Sequence, residues 1–177
     1  MTSAGSPAFE AGSHWIDKRV VGPVAYVVEF RMRMSEVLTE LVSRDTRGEE
    51  IITGTEDIER WTAWTRLDYD AFLDGLAMEL ATRYDQGRLP FGTCDEIVNW
   101  FHGHHTATLD TALPEVFLDV FEAFDEGEYY HGGDASEDPE KAYTRPMIQE
   151  VLARGDTREF SSAPNSDASY AAPDHRA

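Results

Sequence analysis

Cysteine is almost missing from this chain. Cys94 stands alone, so no disulfide can close within the molecule and a Cys-rich zinc site is excluded. Long apolar runs are missing too. The longest nearly apolar stretch, Val20 to Val28, is broken by Gly22 and Pro23 and closed by Glu29. A bilayer-spanning helix needs about 20 apolar residues, and the first residues lack the basic-then-apolar order of a secretory signal. No membrane partner and a cytoplasmic location are therefore expected. Glycine-rich phosphate loops, a nucleophile elbow and a dinucleotide fingerprint do not occur, and Arg31 and Arg33, flanked by Glu29 and Glu36, do not make a basic patch. Direct nucleic-acid binding is not expected.

The scarcest commodity is positive charge. Asp and Glu number 34 against 15 Lys and Arg, and the net charge is −19. Between Glu49 and Asp138 there are 22 acids and four bases, Arg60, Arg66, Arg83 and Arg88, and from Phe91 to Asp138 there is no base at all. Such a surface repels nucleic acid and anionic membranes and attracts cations and basic proteins, although acidity can also serve solubility alone.

Against these absences stands ample core material. Hydrophobic residues make up 41% of the 177, with nine Phe, seven Tyr and four Trp. That suits one folded domain, over residues 14–158. Residues 1–13 read as a flexible arm and 159–177 as a disordered tail, because small and polar residues and prolines replace the periodic pattern.

The spacing of apolar residues predicts a mainly α fold, a compact bundle or orthogonal array of about six helices. After Pro23, Val27, Phe30, Met34, Val37, Leu38 and Leu41 fall at helical intervals. Residues 28–34 also alternate apolar and charged, so a short N-terminal strand or hairpin over 24–34 is the alternative to one long helix. Thr53-Gly54-Thr55-Glu56 and Thr93-Cys94-Asp95-Glu96 fit capping boxes. Asp68 or Asp70 can cap a helix carrying Leu73, Leu76, Leu80 and Tyr84, which Gly87 and Pro90 stop. Cys94, Ile97, Val98 and Phe101 form an inward face closed by Gly103. Pro114 opens an amphipathic helix with Phe117, Val120, Phe121 and Phe124 inward, and Gly127 ends it. Pro146 places a last helix at Met147 to Arg154. Trp61 and Trp64, three apart, are expected in the core.

Two candidate sites follow. On the helix after Pro114, Glu115, Asp119, Glu122 and Glu126 form a continuous outer strip, which Asp125 and Glu128 extend. This predicts a non-catalytic interaction or regulatory protein that binds a basic protein partner through an acidic face, the carboxylates standing in for nucleic-acid phosphates. The second is His102-Gly103-His104-His105, with His131 and Asp134 in reach if the following loop folds back. Imidazoles and a carboxylate suit Zn, Mn or Fe, and the alternative is a metal-dependent enzyme or metal-binding domain. No HExxH pair supports it, and the loop from Asp125 to Asp138 lacks EF-hand spacing, so no cofactor is the default expectation. Tyr129, Tyr130 and Tyr143 flank that loop as contact or anchoring residues. Cys94 lies on an apolar helix face and is expected to be buried rather than nucleophilic.

Overall fold

In the computed structural model, residues 23–131 and 136–161 are described, with side chains from Val28 to Gly155 outside the gap. The arm expected over 1–13 and most of the tail expected over 159–177 lie outside them, although the backbone is helical through Ser161. Six helices follow in order: α1 (Pro23–Thr46), α2 (Thr55–Thr65), α3 (Tyr69–Asp85), α4 (Phe91–Thr108), α5 (Glu115–Asp125) and α6 (Arg145–Ser161). A 3-10 turn at Glu126–Glu128 extends α5, and a π-helical turn at Glu140–Thr144 leads into α6. There is no strand among the described residues, and no helix there is long and apolar enough to cross a membrane.

The helical alternative therefore holds for 24–34. Burial shows why: Met34, Val37, Leu38 and Leu41 are inward, while Val28 and Met32, the apolar members of the strand-like alternation, face outward. A strand would have placed Val28, Phe30, Met32 and Met34 on one face. Asp68 caps α3 by accepting from the Ala71 N–H at 2.9 Å, and Gly87 takes a positive φ of 67° just past its end.

α3 is the hub. It packs against α1, α2, α4, α5 and α6, and Phe72, Leu73, Leu76, Ala77, Leu80 and Ala81 are all buried. Trp61 stacks on Phe72 at 6.4 Å and leans on Phe101 at 6.0 Å, joining α2, α3 and α4. At the far end Tyr84 meets Phe124 edge-on at 5.1 Å.

Trp61 is held from outside by a charge network. Arg44 grips both Asp57 oxygens, at 2.6 and 2.9 Å, and also reaches the Ile51 carbonyl and Glu40. Arg60 bridges Glu40 and Asp57, and the Trp61 indole N–H donates to Glu40 at 3.1 Å. Both guanidiniums lie over the Trp61 ring. Two cations meet two anions, so the cluster is neutral. The Arg44 and Arg60 guanidiniums drive the Asp57 carboxyl far below the usual range, and Arg60 foremost brings Glu40 down to about 2.

Several local expectations need correction. α2 starts beside Gly54 with no hydroxyl cap; instead Asp57, in its first turn, reaches back to the Thr53 N–H and hydroxyl. The second box is not a cap either. α4 already begins at Phe91, and Thr93 donates to Asp45 at the end of α1. Gly103 does not stop α4, which continues five residues to Thr108. Trp64 is half exposed, its indole N–H on Glu36 and its ring under Arg33. Phe121 is only partly buried, and Ala123 completes the inward face of α5. The last helix is longer at both ends than 147–154.

α5 is anchored by another helix. Pro114 offers no side-chain cap, and the Asp74 carboxylate of α3 accepts from the Phe117 N–H at 3.0 Å. Gly127 passes so close to the Thr144 hydroxyl and the Phe91 ring that a methyl group would collide with both. This close approach, rather than an unusual φ, is what requires glycine there.

Two stability measurements check this packing. Phe124→Ala should cost about 3–5 kcal/mol in denaturant unfolding, and Phe121→Ala, at a partly buried position, about 2. Asp57→Ala should cost about 3–5 kcal/mol, because it strands Arg44 in a mostly buried position without its principal partner.

Candidate functional site

The acidic face is assembled by α5 and the turn after it. Helical spacing puts Glu115, Asp119, Glu122 and Glu126 along one line. Glu115, Glu122, Asp125 and Glu128 are exposed, whereas Asp119 and Glu126 are partly covered. Asp119 is bridged by Arg154 of α6 at 2.7 Å, and Glu126 meets the His131 imidazole at 3.0 Å. The strip is thus open at Glu122 and Asp125 and laced to neighbours at Asp119 and Glu126.

One member reaches a partner that sequence spacing does not reveal. Glu128 approaches Asp95 of α4. Burial, then the Glu128 carboxyl, then Glu96 push the Asp95 carboxyl up to about 7, against a stabilising amide bond from Asn99 at 3.0 Å. Near neutral pH the Asp95 carboxyl therefore still holds a proton part of the time. Two carboxyls are held together there, and neither α4 nor the turn after α5 carries a Lys or Arg. Tyr129 and Tyr130, both more than half exposed, stand beside it.

The histidines are distributed rather than gathered. Because α4 continues through Gly103, His102, His104 and His105 point in different directions around the helix. His102 lies flat on Phe121, ring centres 4.0 Å apart. His104 lines an open groove of about 550 Å³ with Trp100, Glu96 and Gly54. His105 is buried; its Nε2–H donates to the Thr111 carbonyl at 2.9 Å, and its ring stacks on Tyr69. The carbonyl accepts only, so Nε2 carries a proton, and Nδ1 is buried with no hydrogen-bond partner among the described residues. His131 packs on Tyr143 at 4.1 Å. Asp134 lies outside the described residues. Among the described residues no three His, Cys, Asp or Glu side chains come together as metal ligands would.

Cys94 is fully buried, and burial pushes its thiol up to about 12, so it is no thiolate nucleophile. Tyr143 donates to Glu137 at 2.8 Å and anchors the acidic loop. Another feature without a sequence signal is the π-helical turn. It turns Glu140 onto the Tyr84 hydroxyl at 2.9 Å and onto Arg145 at 2.8 Å, and Arg145 covers the Tyr84 ring. This ties α6 to α3 behind the acidic face. Asp74 and Asp95 were also missed, because each acquires its role from a residue more than thirty positions away.

Comparison with protein-family models, curated proteins and solved structures finds no match.

The Asp95 carboxyl sets a pH test. Its folded-state value lies above its unfolded one of about 4. The folded state therefore holds a proton that the unfolded state releases, a contribution present below about pH 4 and lost as pH rises through about 7. Asp95→Asn should flatten stability across that window and raise the melting temperature at pH 8. An unchanged profile would show that Asp95 does not hold that proton.

Proposed function

We propose that the protein is a non-catalytic interaction module that offers the acidic face of α5 and its following turn to a basic protein partner. The observation that carries this reading is where the cations sit. Arg33, Arg44, Arg47, Arg60, Arg83, Lys141, Arg145 and Arg154 each pair with a carboxylate of this chain, while α4, α5 and the turn after them contain no Lys or Arg. Negative charge is left in excess on that side, with Glu122, Asp125 and Glu128 exposed along it. The exposed Tyr129 and Tyr130 add ring faces on which Arg or Lys side chains can rest. The separate seats of His102, His104, His105 and His131 favour this reading over a metal-dependent enzyme built on Zn, Mn or Fe.

A basic partner would bind fast and salt-sensitively, since exposed charges are screened over about 8 Å at physiological ionic strength. The test is affinity capture from the cells of origin, with the triple variant Glu122→Gln, Asp125→Asn, Glu128→Gln in parallel. The parent should retain basic proteins at low salt and lose them as salt rises, and the variant should retain at least tenfold less. Equal retention by both would remove α5 as the interface. No basic partner with either would leave solubility as the role of the acids.

A further inference from the structure

The outer side of α4 continues the acidic face. Helical spacing places Asp95, Asn99 and Glu96 next to one another there, and the Asn99 amide already spans to Asp95 at 3.0 Å. Beyond Asn99 lies the open groove of about 550 Å³. Its α4 wall is Glu96, Asn99, Trp100 and His104, and its opposite wall is the segment Ile52 to Gly54 ahead of α2. That volume is on the scale of small-ligand sites, roughly 300–1,000 Å³. Trp100 packs on the core but is only partly buried. Its indole N–H donates to Glu96 Oε1 at 2.9 Å, which holds the carboxylate at the edge of the ring. Glu96 is exposed, and its Oε2 has no partner among the described residues. No Lys or Arg lines the groove.

We propose that this groove seats an arginine side chain of the basic partner, with the guanidinium against the Trp100 ring and its N–H groups on Glu96. The inference rests on the reading of the acidic face as a protein interface, and it names the side chain that the face selects. The chain itself uses the same seat twice. The Trp61 indole N–H donates to Glu40 at 3.1 Å, and Arg60 lies 5.2 Å over that ring with both its terminal nitrogens on Glu40. The Trp64 indole N–H donates to Glu36 at 3.2 Å, and Arg33 lies 5.2 Å over that ring. Trp100 and Glu96 form a third pair of this kind, and no arginine of the described residues lies over it. Charge and shape agree with that occupant. An anionic ligand would meet Glu96 with no base among the lining residues to offset it, whereas a cation would be drawn in. A planar guanidinium stacks on a ring and forks onto a carboxylate at once, while a lysine ammonium is a compact, strongly hydrated point charge.

The test titrates full-length protein at low salt with two blocked peptides, hexa-arginine and hexa-lysine. Hexa-arginine should bind about fivefold more tightly. The Trp100 indole N–H signal in an NMR spectrum, assigned by its loss in Trp100→Leu, should shift as hexa-arginine is added. Glu96→Gln, at an exposed position, and Trp100→Leu should each bring the two affinities toward equality. Glu96→Gln, which keeps the ring, decides even if Trp100→Leu does not fold. The triple variant Glu122→Gln, Asp125→Asn, Glu128→Gln should weaken both peptides and keep the preference, since those acids attract any cation. Equal binding of the two peptides by the parent overturns the arginine seat. So does a Trp100 signal that stays in place under bound hexa-arginine, or a preference that survives Glu96→Gln. Each of these leaves the α5 face intact as long as the triple variant weakens both peptides. Failure of both peptides to bind the parent would overturn the interface and the seat together.

Discussion

The indole of Trp61 depends on four charges, and much of the fold depends on that indole. α2 has eleven residues, too few to be stable alone. Its position is fixed because Glu40 and Arg44 of α1 meet Asp57 and Arg60 of α2 around the Trp61 ring. The ring's inner side then carries Phe72 and Phe101, so α3 and α4 are registered through the same side chain. Removing one ion from such a set is costlier than the net worth of the set, since the remaining partners are left desolvated. The network thus specifies geometry: bidentate Arg44–Asp57 contact fixes the angle at which α1 and α2 meet, and the Thr53 bonds to Asp57 fix where α2 begins.

The same network accounts for part of the charge pattern. Arg60 is one of only four bases between Glu49 and Asp138, and it lies in this cluster. Arg83, another, ties Glu79 and the Ser35 carbonyl together, joining α3 to α1. Cations are placed at helix junctions, where fork geometry and hydrogen bonding have structural value. The charge that α4, α5 and the turn after them present to solvent is carboxylate, since they carry no Lys or Arg. The acidity of the surface is therefore a consequence of where the few bases are used as much as of how many acids there are.

The helices were legible because their signal is local. Inward residues recur every three or four positions in α1, α3 and α5, and Asp68 caps where a helix should start. Boundaries that depend on distant partners were not legible. Thr93 looks like a cap but bonds Asp45 on another helix. Gly103 looks like a terminator, yet it lies in α4 with open space beside it, so neither strain nor crowding calls for a break there. Once α4 continues, the His102-to-His105 cluster is divided around the helix, and local density in sequence no longer means proximity in space. The acidic strip on α5 was legible, being a helical face; its meeting with Asp95 was not, because the 3-10 turn that extends α5 and the path of α4 set that contact jointly.

α5 is held in place by groups other than the exposed acids Glu122 and Asp125. Its inward face of Phe117, Val120, Ala123 and Phe124 is fully buried, its N-terminus is capped by Asp74 from α3, and the turn beyond it is seated by Gly127 against Thr144 and Phe91. Like charges four apart cost an isolated helix about 0.2–0.5 kcal/mol per pair, and the approach of Glu128 to Asp95 raises a carboxyl enough to hold a proton near neutrality. Fold stability therefore opposes this arrangement at both places. Dispersed acids would confer solubility without forcing two carboxyls together, which is the physical ground for proposing a cationic partner at this end of α5. Asp119 sharpens the contrast: where an acid of this face does serve the fold, it has been given a cation, Arg154, at 2.7 Å.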